Sequence, residues 1–154
     1  MRDGAKFSDG AAVTAEDVVF SYTRVLAPEL KSLYRPMISF IDKVEKKDDK
    51  TVTFKLKQAF SLVPERLSIV KIVPKAAVEK DAKAFDLNPV GSGPYKMTDN
   101  GSASQKVVFE RNENYNGPRP ALAKSMTWQI LPDPATRTNA LTSATVQAID
   151  SVPA

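Results

Sequence analysis

Residues 88–95, Asn88-Pro89-Val90-Gly91-Ser92-Gly93-Pro94-Tyr95, form the densest glycine and proline cluster in the chain. Proline removes a backbone donor and fixes φ, and glycine raises the entropic cost of any regular element, so neither a helix nor a central strand runs through such a stretch. The 154 residues therefore fold as two runs joined by irregular backbone, and the cluster marks a change of domain or a hinge. The division falls at 1–87 and 88–154.

In the first run, Phe7-Ser8-Asp9-Gly10 is a turn signal: Asp9 can bond the backbone and Gly10 is free to take a positive φ. Thr14-Ala15-Glu16-Asp17 opens a helix, with Thr14 as N-cap and Asp17 where a capping box usually has Glu or Gln. Val18, Tyr22, Val25 and Leu26 share one face at helical spacing, and Pro28 ends the run. Leu30, Leu33, Tyr34, Met37 and Ile38 recur at helical spacing, which predicts a second, less regular helix over 29–40, interrupted at Pro36. Residues 41–57 read as a β-hairpin: Ile41 and Val44, the polar turn Lys47-Asp48-Asp49-Lys50, then Val52, Phe54 and Leu56 alternating with Thr and Lys. Its lysines read as the exposed side of a sheet, where they also keep an edge strand from pairing with other chains. Pro64 fits the first turn of a short helix within 61–70, and Pro74 starts another that should continue through Ala76, Ala77, Val78 and Phe85.

In the second run, Tyr95–Thr98 and Lys106–Arg111 read as strands joined by the polar turn Asp99-Asn100-Gly101-Ser102. Ser125–Leu131 is a third, with Met126, Trp128 and Ile130 alternating against Thr127 and Gln129. Asp133-Pro134 pairs an N-cap with a first-turn proline and opens a helix through Ala135, Arg137, Ala140 and Leu141. The whole is an α+β (mixed α/β) chain. Met1–Phe7 reads as the middle of a strand and turn, and Ala148–Ala154 as an element about to continue, so the expectation is a piece of something longer.

The chain has no cysteine and no histidine. Disulfides, Cys/His zinc sites, thiol nucleophiles, Ser-His triads and a histidine base are thereby excluded. Gly91-Ser92-Gly93 lacks the third glycine of a dinucleotide fingerprint and the Gly-Lys-Ser/Thr end of a P-loop, so it reads as a tight turn. Glu16/Asp17 belongs to a helix's first turn and Asp48/Asp49 to a hairpin turn; neither is placed as an acid/base pair. No catalytic or metal-ligating residue is assigned and no cofactor is expected. Of 22 basic and 18 acidic groups, 14 and 10 lie in residues 1–77 and 8 and 8 in 78–154, giving +4 spread over mixed-charge surface. That distribution argues against nucleic acid as a partner. No run approaches the roughly 18–20 apolar residues of a membrane span. Tyr22, Tyr34, Tyr95, Tyr115 and Trp128 can line a cleft, although packing in core or rim accounts for each as well.

Taken in order, seven segments resemble the extracytoplasmic solute-binding proteins of ABC transporters, the family that handles peptides, nickel complexes and related solutes. They are Arg2-Asp3-Gly4-Ala5-Lys6-Phe7-Ser8-Asp9-Gly10, Thr14-Ala15-Glu16-Asp17-Val18-Val19-Phe20-Ser21-Tyr22, and Asp49-Lys50-Thr51-Val52-Thr53-Phe54-Lys55-Leu56. Then come Ile72-Val73-Pro74-Lys75, Asn88-Pro89-Val90-Gly91-Ser92-Gly93-Pro94-Tyr95, Glu110-Arg111-Asn112-Glu113-Asn114-Tyr115, and Leu131-Pro132-Asp133-Pro134-Ala135-Thr136-Arg137. The chain departs from the family pattern at Asn116, where an aromatic often follows the tyrosine, and at Thr142-Ser143-Ala144, where a serine-glycine pair is more usual.

The resemblance implies part of the N-terminal lobe of a two-lobed, periplasmic-binding-protein-like fold that closes on its solute by hinge motion. Residues 1–87 would be the smaller subdomain of that lobe and 88–154 the start of the larger one. It implies a carrier outside the cytoplasmic membrane, not an enzyme, whose partners are a peptide or small-molecule solute and a membrane-embedded ABC transporter permease. Main-chain capture of peptides is the physics of strand addition, which tolerates varied side chains. Tyr34, near the cleft wall, and Gly91, Ser92, Gly93 and Tyr95, at the lobe's inner edge, are the candidate ligand-binding residues. Two other readings compete: an interaction module docking acidic partners through the Lys-rich hairpin, and an enzyme built on a convergent pair of carboxylates.

Overall fold

The computed structural model describes residues 1–151. Its first regular element, α1 (Ala15–Leu26), begins where the capping box predicts. Thr14 Oγ1 accepts from the Asp17 amide at 3.3 Å while Asp17 Oδ2 accepts from the Thr14 amide at 2.8 Å. The helix stops because Ala27 is extended (φ −64°, ψ 127°) ahead of Pro28. Before it, Gly10 turns the chain at φ +93°, with Asp9 Oδ1 accepting from the Ala11 amide at 3.0 Å, and Lys6 bridges Ala12.

Residues 29–40 are not the helix that their spacing predicts. They form two 3₁₀ turns, Pro28–Leu30 and Pro36–Ile38, separated where Lys31 adopts a left-handed conformation (φ 51°). With that break and Pro36 in the way, the apolar spacing has no single helical face to fill. Ile38 is buried, whereas Leu33 is 87% exposed. The hairpin β1 (Ile41–Lys46) and β2 (Val52–Leu56) follows in antiparallel register, Val44 opposite Phe54 and Lys46 opposite Val52.

α2 (Val63–Leu67) has Pro64 in its first turn. The helix expected from Pro74 to Phe85 is two: α3 (Lys75–Lys80) and α4 (Ala82–Leu87). Asp81 is extended and its carboxylate caps α4, accepting from the Ala84 amide at 3.0 Å; a side chain that caps from outside a helix cannot also continue one. The core collects Tyr22, Ile38, Ile41, Val44 and Val70, with Val18, Val25, Leu26, Phe54 and Leu67 packed against them. Each such aliphatic or aromatic side chain stabilises the fold by about 1.5–3 kcal/mol when fully buried. Two backbone ties lock the periphery: Asp17 Oδ1 accepts from the Lys75 amide and Ser21 Oγ from the Val73 amide, both at 2.9 Å.

Beyond the Gly/Pro cluster, β3 (Tyr95–Asn100), β4 (Lys106–Arg111) and β5 (Ser125–Gln129) form a second, separate antiparallel sheet in that order. Asp99 and Asn100, expected in the turn, belong to β3, because a bulge after Met97 lets them pair with Val108 and Val107. The turn itself uses Gly101 at φ +75°. α5 (Pro134–Thr142) is capped by Asp133, which accepts from the Thr136 amide at 2.6 Å. Residues 148–151 form neither strand nor helix; the remainder of the expected continuing element, Val152–Ala154, lies outside the described residues.

Candidate functional site

The turn at Gly91–Tyr95 is the point where the two runs of the chain meet. Gly91 O accepts from the Ser8 amide at 2.8 Å, so the turn docks on the N-terminal Ser8-Asp9-Gly10 loop. From the other side Asn112, 3% exposed, donates its side-chain amide to Gly93 O at 2.8 Å and its backbone N–H to Pro94 O at 2.9 Å. Its Oδ1 accepts from the Asn114 amide at 3.0 Å, and Asn114 Nδ2 reaches Ser8 O at 3.2 Å. Asn112, buried and bonded through a side-chain N–H, its side-chain oxygen and its backbone N–H, ties the 91–95 turn to the 112–114 segment, and Asn114 carries the tie on to Ser8.

The same loop continues its grip toward the N-terminus. Arg2 lies over the Tyr115 ring, 5.3 Å from its centroid, and donates from Nε to Asn116 Oδ1 at 3.0 Å. Asn116 Nδ2 donates to Asp3 O at 2.9 Å. The Asn112–Gly117 loop thus binds the second sheet to the first ten residues. The sequence marked the 91–95 turn as a candidate site, whereas Asn112 and Asn114 entered only within a segment of family resemblance and Asn116 only as a departure from it, none of them with this role.

At Gly91 and Gly93 the backbone has no positive φ, and a side chain would meet nothing within 4 Å. No contact within the described residues demands glycine at either position. Ser92, Gly93 and Tyr95 are half-buried and Gly91 is exposed. Across the sheet from Tyr95 stands Arg111, whose Nη2 donates to Leu122 O at 2.8 Å while its buried Nε has no acceptor.

Tyr34 sits elsewhere, 51% exposed, between the two 3₁₀ turns, with Leu30, Leu33 and Met37 exposed around it in sequence. No hydrogen bond among the described residues joins it to the 91–95 turn. Two open hollows, of about 540 and 620 Å³, lie beside the N-terminal residues and beside Leu26, Arg35 and Lys57; neither is lined by a predicted site residue. Tyr22, also a cleft candidate, is a core residue: it meets Phe54 edge-on at 4.8 Å and donates its hydroxyl to Leu67 O at 2.6 Å. Burial pushes its phenol up to about 12.

The Lys-rich hairpin does not present a bare positive patch. Lys43 and Lys55, directly opposite each other, both hold Glu45 at 2.6 Å, which pulls that carboxyl down to about 2. Lys46 pairs with Asp49 at 2.7 Å and Glu16 at 3.5 Å, and Lys50 with Asp3. Among the described residues no group of acidic side chains converges as a metal site, and no helix is long and apolar enough to cross a membrane.

The chain matches, over residues 1–154, the family model described as bacterial extracellular solute-binding proteins, family 5 Middle. It is 33% identical over 141 residues to the oligopeptide-binding protein AppA of Bacillus subtilis, covering 86% of this chain and 26% of that protein. Among solved structures it resembles a putative peptide-binding protein AppA from Clostridium difficile (31% identity, TM-score 0.80, 95% of this chain and 32% of that one). It also resembles AgaA of A. tumefaciens R10 in complex with agropinic acid (32% identity, TM-score 0.84, 92% of this chain and 29% of that one). The chain spans about a quarter of the length of the curated relatives it matches, 26% in the first two.

Proposed function

We propose, from the premise that this chain belongs to the bacterial extracellular solute-binding proteins of family 5, that it is part of the N-terminal lobe of a carrier. That carrier captures oligopeptides or a related small solute outside the cytoplasmic membrane and hands them to the permease of an ABC transporter. The observation that carries the reading is the family match over the whole of residues 1–154. The mixed helices and sheets of the fold, shared with a segment of about a third of the C. difficile AppA chain, support it. Residues 1–87 are the smaller subdomain of the lobe and 88–154 the start of the larger one. The role is delivery by hinge closure, without chemistry on the solute.

Tyr34, Gly91, Ser92, Gly93 and Tyr95 face the solute in this reading. The glycines at 91 and 93, bare without any demand from φ or from packing in this chain, leave space beside the turn for close approach by an extended peptide, whose main-chain bonds would go to groups other than the carbonyls of 91, 93 and 94 that Ser8 and Asn112 hold. The pairing of Lys43, Lys46, Lys50 and Lys55 with carboxylates favours this reading over docking of an acidic partner. Titration calorimetry with a series of alanine peptides tests it. Residues 1–154 alone bind weakly or not at all, because the opposite lobe closes the cleft, whereas a family-length protein carrying this segment binds. Micromolar binding by residues 1–154 alone overturns the incomplete cleft; no binding of any peptide or small solute by the family-length protein overturns the carrier.

A further inference from the structure

We propose that Asn116 is the site at which this protein deamidates in its native state, its side-chain amide giving way to aspartate and isoaspartate at the Asn116–Gly117 bond. Asn-Gly occurs twice in the chain, at 100–101 and 116–117. In such a pair the backbone nitrogen of the glycine, giving up its proton to solvent base, attacks Cγ of the asparagine. The N–Cγ bond forms, the Cγ–Nδ2 bond breaks, and ammonia leaves. Water then opens the cyclic imide at either carbonyl, so the net change is amide plus water to carboxylic acid plus ammonia, with nothing oxidised or reduced. Glycine favours the step because it has no Cβ to obstruct ring closure.

Three features converge on Asn116. A Cβ at Gly117 would run into the far end of the Tyr115 side chain, so glycine there is what lets that ring lie against the loop. The Gly117 N–H has no hydrogen-bond acceptor among the described residues, and Asn116 is exposed in an irregular loop, so the nucleophile is free and water reaches it. Arg2 Nε donates to Asn116 Oδ1 at 3.0 Å, the oxygen on which negative charge develops when Cγ becomes tetrahedral. At the other pair Gly101 is equally bound to be glycine by its φ of +75° and Asn100 Oδ1 equally has a donor, but the second condition is reversed. Gly101 is buried and its N–H is held by Asp99 Oδ1 at 2.9 Å. Asn100 is a strand residue paired with Val107, so the ladder holds its backbone, whereas Asn116 lies outside any strand. Conversion at 116 removes the donor that holds Asp3 O and sets a carboxylate beside Arg2, on the loop that binds the second sheet to the first ten residues.

The test ages the protein in mildly alkaline buffer, folded and in parallel unfolded in urea. Peptides containing each asparagine are quantified over time by mass spectrometry and by enzymatic methylation of isoaspartate. In the folded protein Asn116 should convert at least about tenfold faster than Asn100, a barrier difference of about 1.4 kcal/mol, and in urea the ratio should collapse toward unity. Asn116→Gln should abolish isoaspartate in its own peptide. Equal or faster conversion of Asn100 in the folded protein overturns the proposal, as does an Asn116 that converts in urea but not in the folded state.

Discussion

Single side chains in this molecule satisfy backbone groups that the helices leave open. Asp17 accepts from the Thr14 amide, the Thr14 hydroxyl and the Lys75 amide, so one carboxylate caps α1 and fixes the start of α3. Tyr22 does the same across the core, its hydroxyl meeting Leu67 O at the end of α2. Tyr22→Phe keeps the ring against Phe54 and leaves that carbonyl without its donor. The expected loss is about 1–2 kcal/mol in urea unfolding, the usual cost of orphaning a buried acceptor. The phenol itself should ionise near 12 in a spectrophotometric titration of the folded protein. A Tyr22→Phe variant as stable as the parent would show that water replaces the hydroxyl at Leu67.

At the scale of elements, the hairpin shows how charges on a strand are balanced. Lys43 and Lys55 oppose each other across β1 and β2, an arrangement that repels. Glu45 offsets this by taking a hydrogen bond from each, and its carboxyl falls from the ordinary 4.5 to about 2. A depressed folded pKa contributes stability that is present above 4.5 and is lost as pH falls toward about 2. Glu45→Gln should flatten the unfolding midpoint through that window, and salt should shrink the effect because the pair is solvated. An unchanged pH profile in Glu45→Gln would mean that the lysines, not the carboxylate, set the hairpin's response to acid. This element was legible in the sequence because period-two alternation from Val52 to Leu56 is a local signal, and so was the capping box of α1. The 29–40 segment was not: Leu30, Leu33 and Met37 hold helical spacing, yet the left-handed Lys31 and Pro36 decide the backbone. The asparagine junction was equally hidden, since what Asn112 does depends on carbonyls at 93 and 94 that reach it only after folding.

Over the whole molecule the core is unevenly shared. The buried apolar cluster draws every member from residues 18–72, while no residue of β3, β4 or β5 is fully buried. Cross-strand register places Met97, Phe109 and Met126 on one face of that sheet, with Val107 and Trp128 alongside, and Trp128 is 60% exposed. Such a face stabilises a sheet only when something packs on it. In the proposed carrier, further chain of the larger subdomain supplies that layer, and the Asn112–Gly117 loop positions the uncovered sheet to receive it. Hydrogen exchange on the 154-residue chain should therefore find β1, β2 and α1 protected close to the global limit. Amides of β3–β5 should open at least about tenfold faster, as a unit of lower local stability. In a family-length protein carrying this segment the two sheets should exchange alike. Equal protection in the 154-residue chain would mean that the edge contacts and the asparagine loop alone hold the second sheet in place, and that its apolar face needs no cover.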